Sequence, residues 1–579
     1  EHITAIANQV RDKIERAGHT VSFVQIPTPP GRHWADEILQ ALMLIMSVLG
    51  VISLLMSGFL VINTIGALLT EHTRQIGVMK SIGAGNGAIV GLYLTMVFIF
   101  GVLSLIVALP LGALGAQLFV NVFAGLLNFD STGSGFPPYV VGLEVAAGLL
   151  VPLLAALWPV LSGTRITVRE AISSYGVGKG RYGTSRIDRL MGRIRGLSRP
   201  LLLSLRNTLR RRGRLALTLS TLTLGGTMII SVLSVRESLT RTLDDFFAIY
   251  NYDIMVFTER PYRITPMEAE ARAIPGVVDV EGWSQPSGRR VLADGTKTEA
   301  INITALPADT KLFQPKISAG RWLLPDDENA IVIAADLLKT EPDLKVGDEL
   351  ILDINGREMP WRIVGIAQVL FVNRTIYANY DYVARATNNV GQSSFVVVVT
   401  QQHDGAFQSE VAKQLRERFK RASINVSGTQ TIGDIRTSNE FSFSIIVIML
   451  LVMAVLLAVV GGLGLMGTMS INVLERTREI GVMRAIGASS AAILRIVMVE
   501  GVLIGVVSWL IGVAIALPFS KLLDEAVGQA FLKASPSYVF STTGALLWLG
   551  VVIVLAAVSS ALPAWNASRI TVRDVLAYE

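Results

Sequence analysis

Seven stretches of this chain are apolar for about twenty residues or more, the length a helix needs to cross the hydrocarbon core of a bilayer. They are residues 38–69, 88–117, 140–162, 215–236, 442–470, 490–518 and 543–562. No other feature narrows the fold so far. In lipid every backbone N–H and C=O must find its partner inside the protein, and long unbroken apolar runs satisfy that demand as helices. Composition agrees: 51% apolar residues, 17% charged residues and a mean hydropathy of +0.52 lie far from a soluble globular profile. The expected class is an α-helical polytopic membrane protein of seven spans. With no cysteine, neither a disulfide framework nor a cysteine metal site can be built, and the five histidines stand singly. No basic segment followed by a short apolar one opens the chain, so no signal peptide is visible.

Two of these runs lead into nearly the same peptide. "EHTRQIGVMKSIGA" at 71–84 and "ERTREIGVMRAIGA" at 475–488 agree at ten of fourteen positions, each pair 404 residues apart. The same offset holds at the far end of each unit, where "RITVREAI" from Arg165 matches "RITVRDVL" from Arg569. The halves therefore read as duplicates. Upstream, "VRDKIERAGHTV" (Val10 to Val21) matches "LRERFKRASINV" (Leu415 to Val426) with a shift of one residue. In the second half that helical segment closes an outer stretch preceded by a span. The equivalent span of the first half would lie before residue 1, so the expectation is an intact protein of eight spans, longer at its amino end by on the order of 200 residues.

Lys and Arg accumulate on the cytoplasmic side of short loops. Between Arg165 and Arg214 stand fourteen of them against two acidic residues, Glu170 and Asp188, which makes this linker cytoplasmic. Counting spans outward puts residues 237–440 outside and both copies of the motif inside. The pI of about 9.4 is what this topology and anionic lipid produce, and nucleic acid is not needed to explain Arg210, Arg211, Arg212 and Arg214. The outer segment reads as a folded α+β domain. "NAIVIAA" and "SSFVVVVT" are strand patterns, Asn355 and Gly356 sit between two more as a hairpin turn, and a helix is expected over about 405–421. No histidine cluster with metal spacing and no Ser/His/Asp spacing stands out there, which favours binding or structure over hydrolysis.

Each motif reads as a short amphipathic helix. Ile480, Met483 and Ile486 recur every three residues as one apolar stripe, with Glu475, Arg478, Glu479 and Arg484 off it, and Gly487 stands where a helix stops. Ile76, Met79, Ile82 and Gly83 repeat the design. A single copy could be an interfacial turn between two membrane helices; two on one face argue for docking on a partner with two equivalent pockets.

"LRNTLRRRGRLALTL" before a span, an outer domain, "ERTREIGVMRAIGA" between the next two spans and "LPAWNASRITVRDVL" after the last resemble the FtsX-like permeases, also called MacB or type VII ABC transporter permeases. The resemblance covers most of the chain, in two units. It implies that the loop between the second and third spans of each unit is a coupling helix seated in a cleft of an ATP-binding subunit. Carried over by motif, the first comprises Glu71, Thr73, Arg74, Ile76, Gly77, Met79, Ile82 and Gly83. The second comprises Glu475, Thr477, Arg478, Glu479, Ile480, Gly481, Met483, Ile486 and Gly487. Gln75 stands opposite Glu479 and His72 opposite Arg476, so asymmetric docking is expected. The implied layout is a remnant of a first outer domain at 1–35, a first transmembrane unit at 36–164, the linker at 165–213, a span at 214–236, a second outer domain at 237–440 and a second transmembrane unit at 441–579.

The chain has no P-loop of its own. "GVGKGRYGTS" comes nearest, but Gly180 follows Lys179 where Ser or Thr is needed, and the GxGxxG of Gly178, Gly180 and Gly183 lacks a βαβ setting. The expectation is a non-catalytic subunit that binds no cofactor, with ATP and Mg held by a partner ATPase dimer engaging both coupling helices. The runs entering each motif, 36–69 and 439–474, would each measure about 50 Å as helix, against a core of about 30 Å. As the family's mechanotransmission implies, the excess is a stalk carrying ATPase motion to the outer domain. Glu500, whose counterpart is Met96, is the one good intramembrane polar candidate. Lying two turns into its helix, it favours pairing or hydration near the inner surface over a substrate role. Gly501 and Gly505 read as a close helix contact. Two functions stay open: a permease that exports or extracts a lipid, lipoprotein, peptide or antibiotic, and a regulator that drives an extracytoplasmic enzyme such as a cell-wall hydrolase. An outer adaptor or carrier suits the first. Either places the chain in a bacterial inner or cytoplasmic membrane.

Overall fold

The computed structural model describes residues 36–127, 137–169, 212–369, 374–532 and 534–569, with four isolated positions before residue 36. The expected remnant at 1–35 and all but the ends of the basic linker, with its GxGxxG, lie outside the described residues. In chain order the first helices are α1 (Asp36–Glu71), α2 (Thr73–Ser81), α3 (Asn86–Leu127), α4 (Pro138–Gly163) and α5 (Arg212–Phe247). The outer segment follows as β1 (Ile254–Arg263), α6 (Ile264–Arg272), β2 (Val277–Trp283), β3 (Ser287–Val291), β4 (Lys297–Leu306), β5 (Lys316–Gly320), β6 (Ala330–Ala334) and α7 (Leu337–Thr340). It continues with β7 (Glu349–Ile354), β8 (Arg357–Gln368), β9 (Thr375–Asn379), α8 (Tyr380–Ala386), β10 (Gln392–Thr400), α9 (Gly405–Arg421) and β11 (Val426–Thr431). The chain returns through α10 (Ile432–Glu475), α11 (Thr477–Ala485), α12 (Ser490–Val527) and α13 (Thr542–Arg569).

Seven of these helices are long and apolar enough to cross a membrane, and each expected run falls within one of them. The contacts divide the chain into two units. One comprises Leu42–Ser234, Ile448–Leu523 and Phe540–Glu579; the other is Val235–Val447 with Asp524–Val539 and Glu1–Ala41.

In the first unit the duplication reaches the packing. Ile65, Leu69, Ile76, Ile89, Tyr93 and Val160 are buried together. Their partners 404 residues on, Met469, Val473, Ile480, Ile493, Val497 and Ala564, form the matching cluster. Small residues allow close crossings. Gly225 lies against the backbone of Ala458, and a side chain at Gly505 would press on Ala556, as the GxxxG spacing suggests. The hydroxyls of Thr218 and Thr468 meet at 2.5 Å across α5 and α10.

The second unit holds two sheets. β11, β1, β10 and β2 form an antiparallel sheet whose apolar face packs on α6 and α9 through Met267, Val411, Leu415 and Phe419. The other sheet runs β5-β8-β6-β9-β4-β3-β7, and a further β8–β7 pairing closes six of its strands into a small barrel. Ile303, Ile333, Leu352, Trp361, Ile363 and Ile376 fill its interior, as a barrel this narrow requires. The expected hairpin is present: β7 and β8 pair antiparallel around Asn355 and Gly356, both at positive φ. The helix expected at 405–421 is α9, capped by the Asp404 carboxylate on the Phe407 amide.

An extended segment also lies along the outer part of α5. Thr242 and Ser238 accept from the amides of Ser537 and Val539, both at 2.9 Å. Four helical residues rise about 6 Å and two extended residues about 6.6 Å, so hydroxyls one turn apart meet alternate amides.

Candidate partner-docking site

Both motifs fold as short helices set off from a membrane-spanning helix by one residue, His72 between α1 and α2 and Arg476 between α10 and α11. Thr73 and Thr477 bond back to the turn before, at Leu69 and Leu474. Each helix ends as glycine dictates. Gly83 and Gly487 both have φ of +99°, Ala84 donates to Met79 and Ala488 to Met483, and only glycine reaches this conformation without strain.

The expected single apolar stripe is split. Ile76 and Ile480 are buried, and Met79 and Met483 pack beside them. Ile82 and Ile486, by contrast, are 80% and 81% exposed. The helix stops at Ala485, and the turn into Gly487 carries Ile486 off the inward face. Gly77 and Gly481 are buried on that face. Exposed together are Arg74, Gln75, Val78 and Ile82 in one copy and Arg478, Glu479, Val482 and Ile486 in the other. Arg74 and Val78, like Arg478 and Val482, stand one turn apart on the helix, and Ile82 and Ile486 follow them at the C-cap.

Val78 and Val482 join this surface although apolarity alone assigns them to a core. The motif reading passed over Lys80 and placed Arg484 off the stripe without giving it a role. Lys80 donates to the carbonyls of Thr164 at 2.5 Å and Ile166 at 2.7 Å, beyond the end of α4. Arg484 donates to the carbonyl of Ser568 in α13 and to Ser490. Each cation answers carbonyls at the end of a third span. The signal was a basic residue kept at both copies.

The copies differ at the joint. Glu500, 2% exposed, accepts from Arg476 at 3.0 Å and from Asn472 at 3.3 Å, which is the pairing its position favoured. Arg476 reaches Glu479 at 3.1 Å as well, and Glu475 is held by both guanidinium nitrogens of Arg214, at 3.2 and 3.3 Å. In the first half His72 Nδ1 meets the Tyr93 hydroxyl at 3.1 Å, and Met96 takes the place of Glu500. A groove of about 630 Å³ lined by His72, Val78, Met79, Tyr93 and Met96 lies open there. About 10 Å³ remains where Arg476, Met483 and Glu500 meet.

The profile of the FtsX-like permease C-terminal family matches residues 47–168 and again 441–572. That of the MacB-like periplasmic core domain matches 215–418. An uncharacterized ABC transporter permease of Methanocaldococcus jannaschii is 22% identical over 58% of this chain and 86% of its own. A macrolide export ATP-binding/permease protein MacB of Hahella chejuensis is 24% identical over 63% of this chain, which spans 58% of that protein's length. The periplasmic region of MacB from Actinobacillus actinomycetemcomitans aligns with 35% of this chain and 97% of its own, at 13% identity and a TM-score of 0.26.

Proposed function

Because the chain belongs to the FtsX-like permeases and carries a MacB-like periplasmic core domain, making it a multi-pass ABC transporter permease, we propose that it works by mechanotransmission. ATP hydrolysis in a partner dimer moves α2 and α11, and the long helices carry that motion to the outer domain. One observation carries this reading. α10 runs unbroken for 44 residues from the last strand of the antiparallel sheet to the residue before the α11 joint. At about 1.5 Å per residue it measures some 66 Å, more than twice a hydrocarbon core of about 30 Å.

The exposed faces of α2 and α11 are the docking surfaces in this reading, and Glu71, Thr73, Arg74, Met79, Glu475, Thr477, Arg478, Glu479 and Met483 belong to them or hold them in place. The ion-paired joint at Arg476 makes α11 the stiffer contact. In this reading the cargo is a lipid, lipoprotein, peptide or antibiotic handled at the outer face, and relatives named for macrolide export support the choice. The test is reconstitution with the cognate ATPase. Charge reversal at Arg478 and Glu479, or Met483→Pro, should abolish stimulated ATP turnover without loss of membrane insertion. Ser442→Pro, which breaks α10 at a cost of about 3 kcal/mol, should leave ATPase binding intact and uncouple transport. Wild-type transport in the Ser442→Pro variant would remove the rod from the mechanism.

A further inference from the structure

Between the barrel and the antiparallel sheet the outer unit encloses a cavity of about 290 Å³. Among the described residues sixteen line it, nine of them aromatic and none charged, in a chain whose overall aromatic content is 7%. The rings form one connected set. Tyr250 lies 5.6 Å from Tyr252 and 5.4 Å from Phe313, Tyr252 lies 5.5 Å from Trp283, and Phe313 lies 5.0 Å from Tyr377. The arrangements are edge-on or tilted, leaving faces and edges for a further ring.

Three phenols also point to a ligand. Tyr252 and Tyr377 are 5% and 4% exposed. Neither Tyr250 nor Tyr377 has a hydrogen-bond partner for its hydroxyl among the described residues, and Tyr252 reaches only the Met255 sulfur, at 3.6 Å. Neither the Tyr250 nor the Tyr377 oxygen is among the fully buried unpartnered polar atoms, so both open onto the cavity, where an occupant carrying an acceptor would satisfy them. Burial holds all three phenols protonated, far above their ordinary range, and Tyr250 adds to the effect at the other two. They can therefore donate and carry no charge. Water fills the space poorly, since roughly ten waters at liquid density would each need two to four polar partners. Gln285 and Gln430, both exposed, stand among the lining residues and mark the opening.

We propose that this cavity binds a small, uncharged, ring-bearing lipophile carrying a hydrogen-bond acceptor, stacked among Tyr252, Trp283 and Phe313 and anchored by the hydroxyls of Tyr250 and Tyr377. A carboxylate or phosphate would meet the negative faces of the rings with no cation to answer it. A plain acyl chain would leave the hydroxyls unpaired. The site goes beyond the coupling mechanism and does not depend on it. Its wall also includes Phe246 and Phe247 from the last turn of α5 and Ile432 and Ile435 from the first turn of α10, so an occupant touches both helices at once.

The full chain in detergent would be titrated with prodan, a neutral naphthalene ketone whose emission shifts to the blue in dry surroundings, against blank micelles. Saturable binding with energy transfer from Trp283 is expected, and Trp283→Phe should reduce the transfer. Thr304→Phe, which fills the cavity, should weaken binding at least tenfold. Tyr377→Phe keeps the ring, so it tests the idea even if Thr304→Phe does not fold. It should weaken prodan several-fold and leave binding of 2-dimethylaminonaphthalene, which lacks the ketone, unchanged. No saturable signal above micelles, equal binding by the folded Thr304→Phe variant, no effect of Tyr377→Phe on prodan, or displacement by decanol as effective as by 2-acetylnaphthalene would each overturn the proposal.

Discussion

A methionine at position 96 and a glutamate at position 500 occupy one place in two copies of a unit, and the difference is felt at the joint each copy uses. Glu500 is buried against Arg476. Removing one member of such a pair costs more than the pair was worth, because the other is left desolvated. Glu500→Gln should lower stability by about 3 kcal/mol, read as a fall in Tm in detergent, whereas Met96→Leu should cost less than about 1.5 kcal/mol. In the outer unit Asp327 makes a different kind of bond. The Arg321 guanidinium, at 2.6 and 2.7 Å, holds its carboxyl below the usual carboxylate range, helped by the Leu324 amide. With the folded value depressed, the contribution is full above the unfolded value of about 4 and is lost as pH falls through the folded one. Asp327→Asn should therefore lower Tm at pH 7, where the contribution is full, and flatten the decline in Tm below about pH 4, where the wild type has lost it too.

Among the elements, the surface helices offer the sharpest test. Val78 and Val482 are 50% and 51% exposed, so Val78→Asp and Val482→Asp should leave the fold intact. If the two helices dock, each should weaken binding of the cognate ATPase at least tenfold, about 1.4 kcal/mol, measured by titration; unchanged affinity in both would move docking elsewhere. The spans, the hairpin at Asn355 and the helix at 405–421 were legible because each is a local pattern that tertiary context reinforces. The outer part of α5 was not. Arg236, Glu237 and Arg241 end the apolar run, yet Val235, Leu239, Leu243 and Phe246 stay buried at helical spacing, so the helix continues as an amphipathic one. The split stripe escaped for a related reason: a three-residue period predicts one face only while the helix lasts, and Gly487 ends it before Ile486 can join. Barrel closure depends on β8 meeting β6 and β7 together, which no local pattern in the sequence encodes.

For the whole molecule, duplication bears on stoichiometry. If α2 and α11 both dock, one chain serves two ATPase copies, and the complex should contain one copy of it to two of them, a ratio native mass spectrometry would read directly; two copies to two would mean that one helix of each chain stands idle. Mechanical loading follows from how the outer unit is threaded. α5 leads into β1 and β11 leads straight into α10, and these two strands are antiparallel neighbours whose pairing begins at Ile254 and Thr431, the ends nearest the helices. Pulling α5 away from α10 would therefore load those ladder bonds one after another, as a zipper opens, and such a ladder has little tensile strength. A pull shared by both helices leaves the ladder unloaded. If the chain works by mechanotransmission as proposed, its two helices should therefore travel as a yoked pair, with a stroke of tilt or piston rather than spreading.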